Sequence, residues 1–391
     1  MERELSGEQP AVNSENQQAP AGATQLAVMY GPAHLAYDFG PEHPFGANRA
    51  YLTHALMQQI GLLDAPQVQL VTPVEADRED LLLFHTRDLI EFVQNACVRG
   101  YGYLDGGDTP AVEGGFEAAL TVVGGTLKVV DMLMRNQTRY AIVPVGGLHH
   151  GHPGRASGFC IFNDIAIAIK RLQADYGIER IAYVDMDAHH GDGVVYGFYD
   201  DPSVLTIDFH EDGRYLFPGT GEMHEIGRGL GLGKTINLPM PPYSSDHSFI
   251  YAFDEIVPEA LRRFKPQLIM MVAGVDGHGG DPLSDMNYSS ASYLHAARSL
   301  RQLAAELCDD RLIVFGAGGY NPATCALRWT EIAASLADFT IPDFLPAEWR
   351  AKYKARTQEE APVTFMEDST SDNTFERVEK IVTWLKQKIF I

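Results

Sequence analysis

The 391-residue chain holds only four cysteines, Cys97, Cys160, Cys308 and Cys325. None forms a C-x-x-C pair, which argues against a disulfide scaffold and a cysteine-built zinc site and points to a reducing compartment. Long apolar runs are missing too: stretches such as Leu268 to Val275 fall far short of the roughly 18 residues a membrane span needs. With no basic-then-apolar leader, the chain is expected to be cytoplasmic, with no membrane partner. Positive charge is scarce, since 30 Lys and Arg face 52 Asp and Glu for a formal net charge of −22. Such a surface repels a phosphate backbone, so direct nucleic-acid binding is excluded and cationic substrates such as Lys-rich tails or polyamines are favoured. Repeats and a Pro/Ser-rich linker are also absent, and one domain is expected.

What is present reads as an α/β chain. Residues Met1 to Ala23 are rich in Glu, Gln, Asn, Pro and Ala, cannot bury enough surface to offset ordering entropy, and are expected to be a disordered arm. The remainder, 24–391, alternates strand-like runs with helical patterns. The strands expected are Gln25 to Tyr30, Tyr140 to Val145, Arg180 to Asp185, Val204 to Asp208, Leu268 to Ala273 and Leu312 to Phe315. Helices are expected over Phe116 to Met134, Asn163 to Tyr176, Asp246 to Phe264 and Ser292 to Leu307. Strands apolar on both faces and separated by helices predict a single-domain parallel β-sheet flanked by helices on both faces. Asp368 to Asn373 reads as a mobile loop before a closing amphipathic helix at about 374–390, with Val378, Ile381, Val382, Leu385 and Ile389 on one face.

In such sheets ligands bind beyond the carboxyl ends of the strands, and the polar clusters fall there. Four expected strands run out into Gly146-Gly147-Leu148-His149-His150, into Asp185-Met186-Asp187-Ala188-His189-His190-Gly191-Asp192, into Asp276 through Asp281, and into Gly318-Gly319-Tyr320. Asp187 and His189 are two apart, so in an extended segment both side chains leave on one side and can grip one ion. A third carboxylate from the Asp281 turn would complete a two-Asp, one-His set, with positions open for water and substrate as a catalytic zinc requires. The His149–His150 pair can move protons at such a centre, and Asp185 and Asp192 are the candidate acceptors that fix its tautomers. A phosphate-loop lookalike, Gly227 to Thr235, is discounted: Arg228 stands where the first glycine is required, and Ile236 to Met240 looks extended.

The strings G-G-L-H-H-G, A-S-G-F-C-I-F-N-D, Y-V-D-M-D-A-H-H-G-D-G, F-P-G-T-G, G-G-D-P-L and G-A-G-G-Y-N, in that order between His34 and Thr330, resemble the zinc-dependent histone deacetylase family. The resemblance is to its class I branch and bacterial acetoin-utilization relatives, and implies an arginase/deacetylase-like fold. It implies Zn²⁺ held by Asp187, His189 and Asp281, with His149 and His150 as general base and acid and Asp185 and Asp192 behind them. Tyr320 would polarise the amide carbonyl. Gly158, Phe159 and Phe217 would line the acyl-lysine tunnel, with Asp108 and Tyr288 on its rim and Arg49 on an inner acetate channel. The substrate implied is an acetylated lysine in a protein or peptide, or another acetylated amine.

Departures from the family pattern accompany these matches. Leu148 stands where Trp is usual, Ala188 where a larger aliphatic is common, and Tyr288 where Leu or Met is frequent. Asp208 replaces a Ser beside a monovalent-cation site, whose residues here would be Asp185, Asp187, His189, Asp208 and Phe209. Possible K⁺ binding, offsetting the added carboxylate, is the expectation there. Three rivals remain: a deacetylase of acetylpolyamines or small metabolites, an arginase-like ureohydrolase with paired manganese, and a catalytically inactive acetyl-lysine reader.

Overall fold

The computed structural model describes residues 24–390; the arm expected over 1–23 lies outside them. Eight short runs form one sheet: β1 Thr24–Met29, β2 Val68–Val71, β3 Thr138–Val143, β4 Ile181–Asp185, β5 Val204–Glu211, β6 Thr235–Met240, β7 Leu268–Val272 and β8 Leu312–Phe315. Their order is β2-β1-β3-β8-β7-β4-β5-β6, and every neighbouring pair is parallel.

Side chains alternate across the pleat, so each inner strand feeds two cores. On β3, Ile142 joins the apolar cluster beneath helices Asp246–Phe264, Ser290–Leu307, Pro322–Leu336 and Phe375–Ile389. Its neighbours Ala141 and Val143 join the opposite cluster, beneath Gly115–Met134 and Asp164–Tyr176. Edge strand β2, Val-Gln-Leu-Val with its middle pair exposed, was not anticipated because it has neither a continuous apolar run nor alternation.

The four strands whose ends carry the polar clusters, β3, β8, β7 and β4, are consecutive at the centre of the sheet. That adjacency brings residues from 149 to 320 to one edge. The closing helix spans Phe375–Ile389 and buries Val378, Val382 and Leu385. The preceding segment is not the free loop expected: Asp372 accepts hydrogen bonds from the Ser245 N–H (2.6 Å) and the Ser248 hydroxyl (3.0 Å), and the Thr370 N–H donates to Asp246 (2.8 Å). These polar pairs were invisible locally because the partners lie over 120 residues apart. The Gly227 to Thr235 lookalike runs through a 3₁₀ turn into β6, offering no helix to a phosphate.

Candidate active site

Past β3 the chain turns and presents His149 and His150, both buried. A buried carboxylate pins the turn: Asp164 accepts the Gly147 N–H (3.1 Å), the Leu148 N–H (2.8 Å) and the Thr126 hydroxyl (2.6 Å). Asn163 caps the following helix through the Ala166 N–H and donates to the carbonyls of His149 (3.2 Å) and Gly151 (2.9 Å). Neither residue was given a role from the sequence, although an Asn-Asp pair opening a helix soon after a histidine doublet is a usable signal.

His149 Nδ1 lies 2.8 Å from Asp185 and His150 Nδ1 lies 2.8 Å from Asp192, while the two Nε2 atoms face each other at 3.1 Å. Ionised carboxylates only accept, so each Nδ1 carries a proton, and one further proton sits between the Nε2 atoms. The doublet then holds three protons and one positive charge. Burial opposes that charge, but Asp185 and Asp187 outweigh it and push His149 upward. Burial and the charge on His149 lower His150 to about 4, against the pull of Asp192. One ring is a held cation and the other a neutral acceptor.

Past β4, Asp187 accepts the His189 backbone N–H (2.9 Å) and the Gly318 N–H (2.6 Å), tying the ends of β4 and β8 together. His189 Nδ1 lies 3.2 Å from Asp187 and 2.9 Å from Asp276, and donor atoms of these three buried residues lie within 4.8 Å of one another. Asp276 had been read only as part of a strand end. Asp281 stands at the neighbouring turn, accepting the N–H groups of Tyr320 (2.7 Å), Asn321 (3.2 Å) and Leu283 (3.0 Å). The set suits a dication, because burial and the charge of Asp187 drive Asp276 up to about 7, a penalty that a bound cation would relieve.

Aromatic rings stand over this floor. Phe217 meets His150 edge-on at 5.1 Å, Phe159 meets Tyr320 at 5.9 Å, and Tyr320 meets His189 at 6.3 Å. Phe159 is held by the Thr109 hydroxyl on its N–H (3.0 Å) and the Tyr37 hydroxyl on its carbonyl (2.8 Å). Gly158, at φ +53, has no Cβ because one would sit 2.6 Å from His150 Cδ2 and 2.9 Å from Phe217 Cε1. Asp108 is exposed nearby, with His43 against its carbonyl at 3.0 Å. Arg49 is buried behind Tyr320, donating Nη1 to the Gly319 carbonyl (3.1 Å) and leaving Nη2 without a partner.

One expectation is corrected. Tyr288 is not on a rim: it is buried, packing on Phe249 (4.9 Å) and Tyr293 (6.4 Å), because its ring fills the core under helix Asp246–Phe264. Asp208, expected beside a monovalent ion, has protein partners. It pairs with the ring of His210 at 2.7 Å and accepts the Gly191 N–H at 2.9 Å, so protein donors hold both oxygens. Leu148 and Ala188 are buried packing positions.

A carboxylate-anchored histidine pair beside an acid-rich metal pocket, at the carboxyl edge of a parallel sheet, defines a metal-dependent α/β hydrolase. The model of the histone deacetylase domain matches residues 43–336. The acetoin utilization protein AcuC of Bacillus subtilis (strain 168) is 40% identical over 343 residues, covering 86% of this chain and 87% of its own. That of Staphylococcus aureus (strain MSSA476) is 36% identical over 363 residues, covering 90% and 92%. Among solved structures, an HDAC homolog complexed with SAHA matches with a TM-score of 0.82 at 27% identity, covering 93% of this chain and 100% of that one. The chain belongs to the histone deacetylase family and is a zinc-dependent deacetylase, a hydrolase of linear amides. Among the described residues, no helix is long and apolar enough to cross a membrane.

Proposed function

We propose that this deacetylase removes acetyl or other short acyl groups from lysine side chains of proteins or peptides. The observation that carries the reading is the aromatic entry: Phe159 and Phe217 stand over His150, His189 and Tyr320 with Gly158 between His150 and Phe217. Aromatic rings suit the unbranched apolar stem of an acyl-lysine. A net charge of −22 favours the cationic sequence that often flanks an acetylated lysine.

Asp187, His189 and Asp281 would hold the zinc. Asp276, wholly buried and bonded to the Ala188 N–H (2.8 Å), would sit behind His189 as its anchor. Asp281 is preferred as third ligand because it lies on the more open side, next to Tyr320, where a catalytic metal must leave room for substrate. When bound, the ion supplies Lewis-acid polarisation of the acyl carbonyl and acidifies a water molecule. His150, neutral and oriented by Asp192, takes the water's proton on Nε2 in exchange for the hydrogen bond it accepts from His149, and later delivers that proton to the departing amine. His149, kept cationic by Asp185, steadies the negative charge of the tetrahedral intermediate through the shared proton with His150. Tyr320, edge-on to His189 at 6.3 Å, donates its hydroxyl proton to a hydrogen bond with the oxyanion. Arg49, with its free Nη2, would receive the carboxylate product. Asp108 at the surface would accept a hydrogen bond from the substrate backbone.

The rival substrate is an acetylpolyamine, which the same charge would attract. The test is kcat/KM of the zinc-loaded protein on acetyl-lysine peptides and on acetylpolyamines, side by side. Peptides should be preferred at least tenfold; equal or reversed preference refutes the lysine reading and leaves the deacetylase chemistry standing.

A further inference from the structure

Next to the catalytic histidines, but facing away from them, lies a second cluster that the deacetylase reaction does not use. His190, Asp208 and His210 are all buried, and donor atoms from the three lie within 4.8 Å of one another. They come from adjacent parallel strands: Asp208 and His210 lie on β5, and His190 follows β4, whose Asp185 pairs in register with Asp208.

We propose that these three residues form a second metal site, for a zinc-class transition ion. The donor atoms argue for it. His190 Nδ1 lies 2.8 Å from the Thr220 hydroxyl, and its Nε2 is buried without any partner. His210 directs Nε2 to the Gly221 carbonyl at 2.9 Å, which leaves Nδ1 on the side of Asp208, 2.7 Å away. His210 thus has one nitrogen fixed by an outer oxygen and the other on the carboxylate, and His190 has one nitrogen fixed and the other buried without a partner. Metal-binding histidines are arranged in this way, because the outer bond sets the tautomer and the ring angle.

Two imidazoles and one carboxylate select zinc, cobalt, nickel or copper over potassium, magnesium or calcium, which prefer oxygen donors throughout. Tetrahedral donors with bonds of about 2.0–2.2 Å lie about 3.3–3.6 Å apart, a spacing that ring and carboxylate rotations can reach from donor atoms within 4.8 Å. Both ring nitrogens of His210 face oxygen atoms, Gly221 on the outer side and Asp208 on the inner. M²⁺ would bind at Nδ1, with any proton of the Nδ1–Asp208 hydrogen bond released to solvent, and Asp208 would turn from the ring to the ion.

An entry route exists. Thr220 and Gly221, the outer partners of the two histidines, line a surface cavity of about 530 Å³ whose wall also includes Asp212, Glu222 and His224. A side chain at Gly221 would close this approach, since a Cβ there would lie 2.4 Å from His210 Nε2 and 2.8 Å from His190 Cδ2. A cavity water would supply the fourth donor. The ion would clamp the His189–Asp192 turn onto β5, so its role is to hold the catalytic loop.

Chelator-stripped full-length protein is dialysed against Zn²⁺ and its metal content measured, with circular dichroism checking the fold. Two ions per chain are expected for wild type, one for Asp187→Ala, one for Asp208→Ser and none for the double variant. Thr220→Val, which removes an outer acceptor at a partly exposed position, should raise the Kd of the ion left in Asp187→Ala by 10–100-fold. Cu²⁺ bound to Asp187→Ala should show spin-resonance coupling to two nitrogens, whereas the catalytic set has one imidazole. The proposal is overturned if Asp187→Ala binds no metal, or if Asp208→Ser and Thr220→Val leave stoichiometry and Kd unchanged. If Asp187→Ala loses nothing while Asp208→Ser does, the second site stands and the catalytic ligand assignment falls.

Discussion

Gly158→Ala gives the sharpest check on the geometry of the tunnel floor. An added Cβ would lie 2.6 Å from His150 Cδ2, about 0.8 Å short of ordinary contact, and 2.9 Å from Phe217 Cε1. His150 cannot retreat without lengthening its 2.8 Å bond to Asp192 or its 3.1 Å approach to His149. A misplacement near 1 Å at a catalytic group costs roughly 100-fold in rate, so kcat should fall by about that factor. The backbone at φ +53 adds about 1–2 kcal/mol of strain, because a side chain crowds the carbonyl in the left-handed region. Gly177→Ala separates the two effects. Gly177 has φ +62 at a helix end with nothing within 4 Å of its added Cβ, so it carries the strain without the clash. Steady-state deacetylation of an acetyl-lysine peptide, with zinc content and Tm measured on the same samples, decides the matter. Both variants should lose stability and keep metal, and only Gly158→Ala should lose turnover. Wild-type kcat in fully zinc-loaded Gly158→Ala would refute the placement of His150 against Gly158.

Other expectations follow from the same contacts. Tyr320→Phe should lower kcat by roughly 100-fold or more with zinc retained, since the phenol acts on charge that develops only in the transition state; metal analysis beside kinetics checks both halves. Asp192→Asn should reduce kcat by roughly 10- to 100-fold while the protein stays folded, because His150 loses the carboxylate that sets its tautomer; an unchanged pH-rate profile would count against that role. Asp276→Asn should weaken zinc binding by about 10–100-fold and Asp281→Asn should nearly abolish it, as titration by calorimetry would show, and the reverse order would exchange their roles. Glu331, on helix Pro322–Leu336, is pushed up to about 7 by burial, which the nearby Arg328 only partly offsets and Glu367 reinforces. A raised carboxylate favours folding below its unfolded value near 4.5, and that contribution is lost as pH rises through about 7. Glu331→Gln should therefore raise Tm relative to wild type at pH 8, by up to about 3 kcal/mol of stability, with little gain at pH 5.

The sequence by itself determined the class of sheet and which strand ends carry chemistry. Buried parallel strands must be apolar on both faces, so β3, β4, β7 and β8 stand out from their surroundings, and polar residues just past them are conspicuous. The two-residue spacing of Asp187 and His189 is likewise local, and the structure brings those two groups within 3.2 Å. The packing helix at the end of the chain was legible from its one-sided apolar stripe.

Tertiary structure alone decided which groups meet across the sheet. The approach of His189 to Asp276 spans 87 residues, and the hold of Asp164 on the turn before His149 depends on where a helix begins. Tyr288 could have been a rim residue or a core one, and the open space beneath helix Asp246–Phe264 settled it inward. The neighbours of Asp208 were equally hidden. Local spacing fixes the side on which a residue leaves its strand, whereas strand order fixes its neighbours; β5 beside β4, with His210 two residues along, gave Asp208 its imidazole.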